Sequence, residues 1–172
     1  MTRTRLARLG VLGAAALAVA VLAALPTAPA SAETRTCLVV GGRADASCTP
    51  GAFNPDVSQA TIDDTICVSG YSGSIRPPAS YTTRLKNQQK PAYGEARVAN
   101  ADLEEDHLVP LSLGGAPRDP RNLWPEPRSG AAPGGEGAED KDVEEFRLYR
   151  AVCAGTVSLR SAQRQILAHW TH

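Results

Sequence analysis

The sequence predicts one small α+β domain tied by disulfide bonds. Three observations carry that expectation. Helical periodicity is confined to the C-terminal third and one short stretch near residue 80, and the rest reads as short apolar pieces separated by turn residues. The cysteines number four in a chain that opens like an export signal.

Arg3, Arg5 and Arg8 precede a run of Leu, Val, Ala and Gly from Leu9 to Leu25, followed by Pro26 and Ala30-Ser31-Ala32. This is the basic, apolar and small-residue order of a secretory signal peptide, so residues 1–32 are expected to leave before Glu33 and residues 33–172 to form a single domain. A retained membrane anchor is the alternative, but the run is short and Ala-rich and no later stretch has the length to span a bilayer. The product is expected to be secreted or held at the cell surface. Without the three signal arginines it carries 15 basic and 18 acidic residues. That balance excludes a histone-like polycation, and any affinity for nucleic acid must come from a local basic patch or a metal ion.

Cys37, Cys48, Cys67 and Cys153 all lie in the exported part. An even number in such a chain reads as two disulfides. Four cysteines allow three connectivities, and the expected one is Cys37–Cys48, a small local loop, with Cys67–Cys153, which ties an early segment to a late helix. Structural zinc is the competing reading. No Cys-x-x-Cys pair exists, and neither His169 nor His172 stands at ligand spacing from a cysteine.

From Cys37 to Ile66 the chain is broken by Gly41-Gly42, Thr49-Pro50-Gly51 and Asn54-Pro55, so residues 33–75 are expected to be loops and short strands. Arg76-Pro77-Pro78 enforces an extended stretch, after which Ser80 is placed to cap a short helix through Tyr81, Leu85 and Gln88. Between Arg76 and Arg97 five basic residues (Arg76, Arg84, Lys86, Lys90, Arg97) face one acid, Glu95, and are interleaved with Tyr81 and Tyr93. It is the clearly basic stretch of an otherwise acidic domain. Two short strands follow between Leu103 and Trp124, and residues 127–138 form a Gly/Ala/Pro loop.

Val143, Phe146, Tyr149 and Cys153 recur at helical spacing, which predicts a helix from about Glu139 to Ala154 with that stripe as its packing face. Gly155 stops it. Ser158 caps a second helix, expected over 158–171, whose stripe is Leu159, Ala162, Ile166 and Trp170. Trp124 is read as a core residue under the hairpin, with base stacking as the alternative.

The chemistry is concentrated in Glu104-Glu105-Asp106-His107-Leu108-Val109-Pro110, then Gly114-Gly115, then Asn122-Leu123-Trp124-Pro125-Glu126-Pro127. An Asp-His pair ending a short strand, a Gly-Gly turn and an Asn-Leu opening a second strand resemble the core of the HNH, or ββα-metal, nucleases, in a form similar to small secreted actinobacterial-type members. The resemblance extends to Thr65-Ile66-Cys67, Ile75-Arg76-Pro77-Pro78, Lys141-Asp142, Val152-Cys153, Ser158-Leu159 and Ala162-Gln163, and so covers the chain from about Thr49 onward. It implies a ββα unit over residues 97–154 and a metal-dependent phosphodiester hydrolase acting on DNA or RNA. Such hydrolysis needs a base to deprotonate water and a divalent cation to stabilise charge at phosphorus.

By resemblance His107 is that base, Asp106 a metal ligand, and Asn122 the residue that pins the loop and orients His107. The third letter of the motif is altered. Where the family places a His or Asn at the head of the following helix, Glu139 stands here, an acceptable ligand for Mg²⁺ or Mn²⁺, with Zn²⁺ possible. Glu139 and Asp140 read equally as first-turn acids favoured by the helix dipole. Glu104 and Glu105 either draw a cation or form a solvated face. Arg84, Lys86 and Lys141 are candidate contacts to substrate phosphates, or partners of nearby carboxylates. Low sequence preference is expected, because no base-reading module is visible. The runner-up reading is a degenerate HNH-like secreted binding or envelope-associated module in which His107 is a packed polar residue.

Overall fold

A computed structural model describes residues 36–129 and 136–168, which belong to one compact unit spanning 34–172. The export segment, the middle of the Gly/Ala/Pro loop, and Trp170 of the C-terminal stripe lie outside the described residues. The unit is a small α+β domain. In chain order its regular elements are α1 (Tyr71–Ile75), α2 (Ala79–Gln89), β1 (Leu103–His107), β2 (Leu123–Pro127), α3 (Ala138–Cys153) and α4 (Leu159–Ala168). Among the described residues no helix is long and apolar enough to cross a membrane.

The two strands pair antiparallel in the register Leu103↔Pro127, Asp106↔Trp124 and His107↔Leu123. Alternation on β1 buries Leu103, Glu105 and His107 and leaves Glu104 and Asp106 half-buried. Every residue of β2 is buried, so the two prolines of Leu-Trp-Pro-Glu-Pro stand in a strand covered on both faces. Trp124 is fully enclosed and packs with Tyr93, Leu108 and Cys37, its ring 5.6 Å from that of Tyr93. The larger core gathers Ile62, Ile66, Val109, Leu113, Leu148, Val152, Leu159 and Ile166, drawn from the early loops, the segment after β1, and the two C-terminal helices.

Both disulfides form with the expected pairing, and no free cysteine remains. Cys37–Cys48 closes a loop of 11 residues, and Cys67–Cys153 joins positions 86 apart with Cα atoms separated by 5.5 Å. The second bridge fixes the end of α3 to the loop that supplies Ile62 and Ile66. Past it the helix ends as the sequence indicates: Gly155 adopts φ +71° and donates to the Val152 carbonyl.

Three expectations are corrected. Residues 36–75 contain no strand; beside a 3-10 turn at Ile62–Asp64 and the short α1 they form isolated bridges at Val40–Arg43 and Phe53–Gly115, because the turn residues keep extended pieces too short to pair further. Ser80 lies inside the first turn of α2 and Pro78 takes the cap position, because the extended Arg76 and Pro77 hand the chain to the helix two residues earlier. Most consequential is the packing face of α3. Val143 and Phe146 are exposed (72% and 61%), while Lys141, Leu148 and Val152 are buried. The helix presents the 141–145–148–152 stripe inward because the hairpin offers carboxylates, rather than an apolar surface, to its first turns.

Candidate functional site

The loop between the strands is locked before it presents any chemistry. Asn122 is fully buried. Its Oδ1 accepts from the Val109 amide (2.9 Å) and the Ala52 amide (3.3 Å), and its Nδ2 donates to the Val109 and Ala116 carbonyls (2.9 and 3.2 Å). Gly115 is required beside it, since a Cβ there would overlap the Val109 carbonyl and the Asn122 amide. Four backbone groups, three of them buried, therefore depend on one side chain. Asn122→Ala is expected to lower stability by about 3 kcal/mol or more, because each orphaned buried group costs about 1–3 kcal/mol. Urea unfolding reads the loss, and an unchanged midpoint would refute the clamp. The resemblance also assigned Asn122 to orienting His107, but the ring is held elsewhere.

His107 is 3% exposed, and its Nε2 lies 3.0 Å from the Pro117 carbonyl. A carbonyl only accepts, so Nε2 carries the proton and Nδ1 keeps its lone pair. Burial lowers the imidazole pKa, against the opposing pull of the Pro117 bond and of Asp106, so the ring is neutral at pH 7. Beside Pro117, the guanidinium groups of Arg118 and Arg84 lie 5.7 and 5.9 Å from the centre of the Tyr81 ring, and the Tyr81 hydroxyl donates to the Arg118 carbonyl. Two cations interleaved with an aromatic thus flank the segment that holds His107.

Asp106, next in the strand, faces α3. There the Lys141 ammonium, on a residue 1% exposed, donates to the Asp106 carboxylate, to Glu145 Oε1 at 2.5 Å, and to the His107 carbonyl at 2.9 Å, with Glu126 Oε2 4.0 Å away. Burial pulls the lysine pKa down, but Asp106, Glu145 and Glu126 overcome it and hold the ammonium charged, well above its ordinary value. Asp106 is likewise driven below the usual range by Lys141 against its own desolvation. Glu126 goes the other way: desolvation raises it well above a normal carboxyl, only partly offset by Lys141. Neither of its oxygens has a hydrogen-bond partner, and the nearby Asp106 charge adds to the upward push. The cluster is one ammonium, an Asp106 held down by it, a Glu126 pushed well up by burial, and a Glu145 raised by burial to about 7.

Glu139 lies apart, exposed, accepting from the Ser129 amide (2.6 Å) and from Arg128 (2.9 Å), bonds that hold its carboxyl down at about 2. Asp140 accepts from the Gly137 amide and caps α3. As arranged, Asp106 and Glu139 do not fit one divalent ion: each carboxylate already carries a cationic partner, and among the described residues no group of three His, Cys, Asp or Glu side chains is disposed to hold a metal. Lys141 is enclosed by carboxylates and has no room for a substrate phosphate. Lys86 also works internally, donating to the Asn100 and Leu103 carbonyls (2.9 and 2.7 Å). Of the three expected phosphate contacts, Arg84 alone is exposed.

No protein-family model, curated protein or solved structure matches the chain. The site thus stands on its own geometry, including residues that spacing did not single out. Glu145 carried a legible signal, lying four residues after Lys141 on one helix. Glu126 carried none, since a glutamate between two prolines reads as surface turn.

Proposed function

We propose that the protein is an exported phosphodiester hydrolase acting on nucleic acid, with β1, β2 and α3 forming an HNH-like ββα unit and His107 as the general base. The observation that supports this reading best is the imidazole itself, neutral and fixed in one tautomer by Pro117, with Arg118 and Arg84 on Tyr81 beside the segment that holds it. In this reading the arginines hold the phosphate backbone, water attacks phosphorus as its proton passes to Nδ1, and the P–O bond to the leaving oxygen breaks, that oxygen taking a proton from solvent water. Two disulfides suit the oxidising compartment that export implies.

The test is degradation of plasmid and RNA by the oxidised protein, in EDTA and in Mg²⁺, Mn²⁺ or Zn²⁺, beside His107→Gln. Glutamine keeps a donor for Pro117 but cannot take a proton, so the rate is expected to fall about 10²–10⁴-fold with little change in Tm. Cleavage undiminished in the variant would sink the assignment of the base. The metal series reads separately whether an added cation can displace Lys141 from Asp106.

A second reading, a catalytically silent binding module, is favoured by one observation: the Asp106 carboxylate, which the HNH resemblance reserves for a metal, is engaged by Lys141. Under that reading no cleavage occurs in any metal, and His107→Gln changes stability alone.

A further inference from the structure

A groove of about 430 Å³ lies between the 53–59 loop and α4, within the roughly 300–1,000 Å³ of ligand sites. Val57, Leu159 and Leu167 give it an apolar lining, and on the loop side Phe53 stands in it with 50% of its surface exposed. On the helix side stand Arg160 and Arg164, both exposed. Four positions apart on α4, their stems leave the same face of the helix about 5–6 Å from one another. The lining holds no acid. Among the described residues neither arginine has a carboxylate within ion-pair distance, whereas Arg121, Arg128 and Arg147 are each paired. Arg160 is the second residue of α4, where a cation sits against the positive end of the helix dipole, so helix stability does not account for it.

Both sides of the groove are hydrogen-bonded to the loop that fixes the imidazole. On one side Phe53 pairs with Gly115, the Asn54 amide donates to the Gly114 carbonyl (2.8 Å), and the Ala52 carbonyl accepts from the Ala116 amide (2.9 Å). On the other, Gln163 Nε2 donates to the Leu113 carbonyl (2.9 Å). Gly114, at φ +77°, fits between them, since a Cβ there would come within 2.8 Å of the Val57 side chain. The same backbone runs on into Pro117, whose carbonyl holds His107, and Arg118. The groove and the imidazole therefore share one loop.

We propose that this groove is a subsite for single-stranded nucleic acid, with Phe53 stacking a base and Arg160 and Arg164 meeting backbone phosphates. An exposed aromatic beside a cationic face is how unpaired strands are held without sequence preference. Inside a duplex both faces of a base are covered by its neighbours, so a duplex offers phosphates to the arginines and nothing to Phe53. The positive end of α4 adds to the attraction for phosphate at Arg160. An acidic polypeptide would answer the arginines but brings no base for the ring. The assignment deepens the hydrolase reading by naming an unpaired strand as the form of substrate, and it rests on that reading for nucleic acid as the class of ligand.

The test is fluorescence anisotropy of labelled oligothymidylate with the oxidised protein in EDTA, so that binding is read without turnover. The single strand is expected to bind roughly tenfold tighter than a duplex of the same length, the worth of one stacked base. Phe53→Ala is expected to remove that margin and to leave duplex affinity unchanged. Should it lower Tm, Phe53→Leu, which keeps apolar bulk without the ring, reads the stacking instead. Arg160→Gln combined with Arg164→Gln, both at exposed positions, is expected to weaken both forms and to lower the salt slope for the single strand by about 1.4, from two phosphate contacts at about 0.7 each. Equal or tighter binding of the duplex, an unchanged salt slope in the double variant, or displacement of the strand by polyglutamate at equal charge would overturn the subsite. The hydrolase reading fails differently: the strand binds with these dependences while no nucleic acid is cleaved, an outcome that upholds the groove as a binding site. Cleavage whose KM the double variant leaves unchanged upholds the hydrolase and removes the groove.

Discussion

Lys141→Met is expected to cost about 3–5 kcal/mol of stability, the range for removing one partner of a buried ion pair and leaving the other uncompensated. The lysine is 1% exposed and is the cation serving Asp106, Glu145 and the His107 carbonyl. Methionine fills much of its volume, so the loss is electrostatic rather than a cavity. The sign with pH follows. With the ammonium gone, Asp106 joins Glu145 and Glu126 in having a folded-state pKa above its unfolded value. A carboxyl raised in this way destabilises the fold above its folded pKa and ceases to do so below its unfolded one. The deficit against wild type is therefore largest above pH 7 and shrinks as the pH falls toward 5. Thermal melts at pH 5, 7 and 8.5 check this; a deficit independent of pH would mean that packing, not charge, holds the lysine in place. Adding Asp106→Asn to the variant should recover part of the loss, since it removes the charge left bare.

The second large effect is covalent. Replacing Cys67 and Cys153 together by alanine removes a bridge closing 86 residues, worth about 4–5 kcal/mol in the chain-entropy account. That corresponds to a fall of roughly 15 °C in Tm for a domain of this size. The same change at Cys37 and Cys48, which close 11 residues, should cost about 3 kcal/mol. Equal losses from the two pairs would show that strain or residual structure in the unfolded chain, rather than loop length, sets the contribution. The long bridge also anchors the C-terminal end of α3, whose N-terminal end is anchored by Lys141, so the two substitutions probe opposite ends of one helix.

The parts of this fold legible in the sequence are those set by local chemistry. Asn122-Leu123 opens β2, the Asp106-His107 pair closes β1, Gly155 ends α3, and the cysteines pair as their spacing suggests. Each depends on neighbours a few residues away or on a bond type the compartment dictates. What the sequence hid was set by contacts between distant residues. The α3 stripe was read from its apolar members, and a helix whose buried face includes a lysine and a glutamate cannot be recognised before the opposing carboxylates are placed. Glu105 reads as one acid of a charged run, and only pairing with β2 turns it inward. Glu139 sat at a position that the HNH resemblance made attractive, and the fold hands it to Arg128 and Ser129.

Helix α2 is joined to the hairpin in an unusual way. None of its 11 residues is buried, and it is held by side-chain tips on backbone carbonyls: Lys86 on Asn100 and Leu103, Gln89 on Leu123 at 2.8 Å, and Tyr81 on Arg118. These polar contacts tie the helix to the strands alongside the side chains that it lays over the hairpin. Separation of α2 from the strands is therefore governed in part by how well water competes for a handful of carbonyls. The α2 side of the domain can thus loosen while the disulfide-bound core stays shut, so local opening and global unfolding are separate events in this molecule.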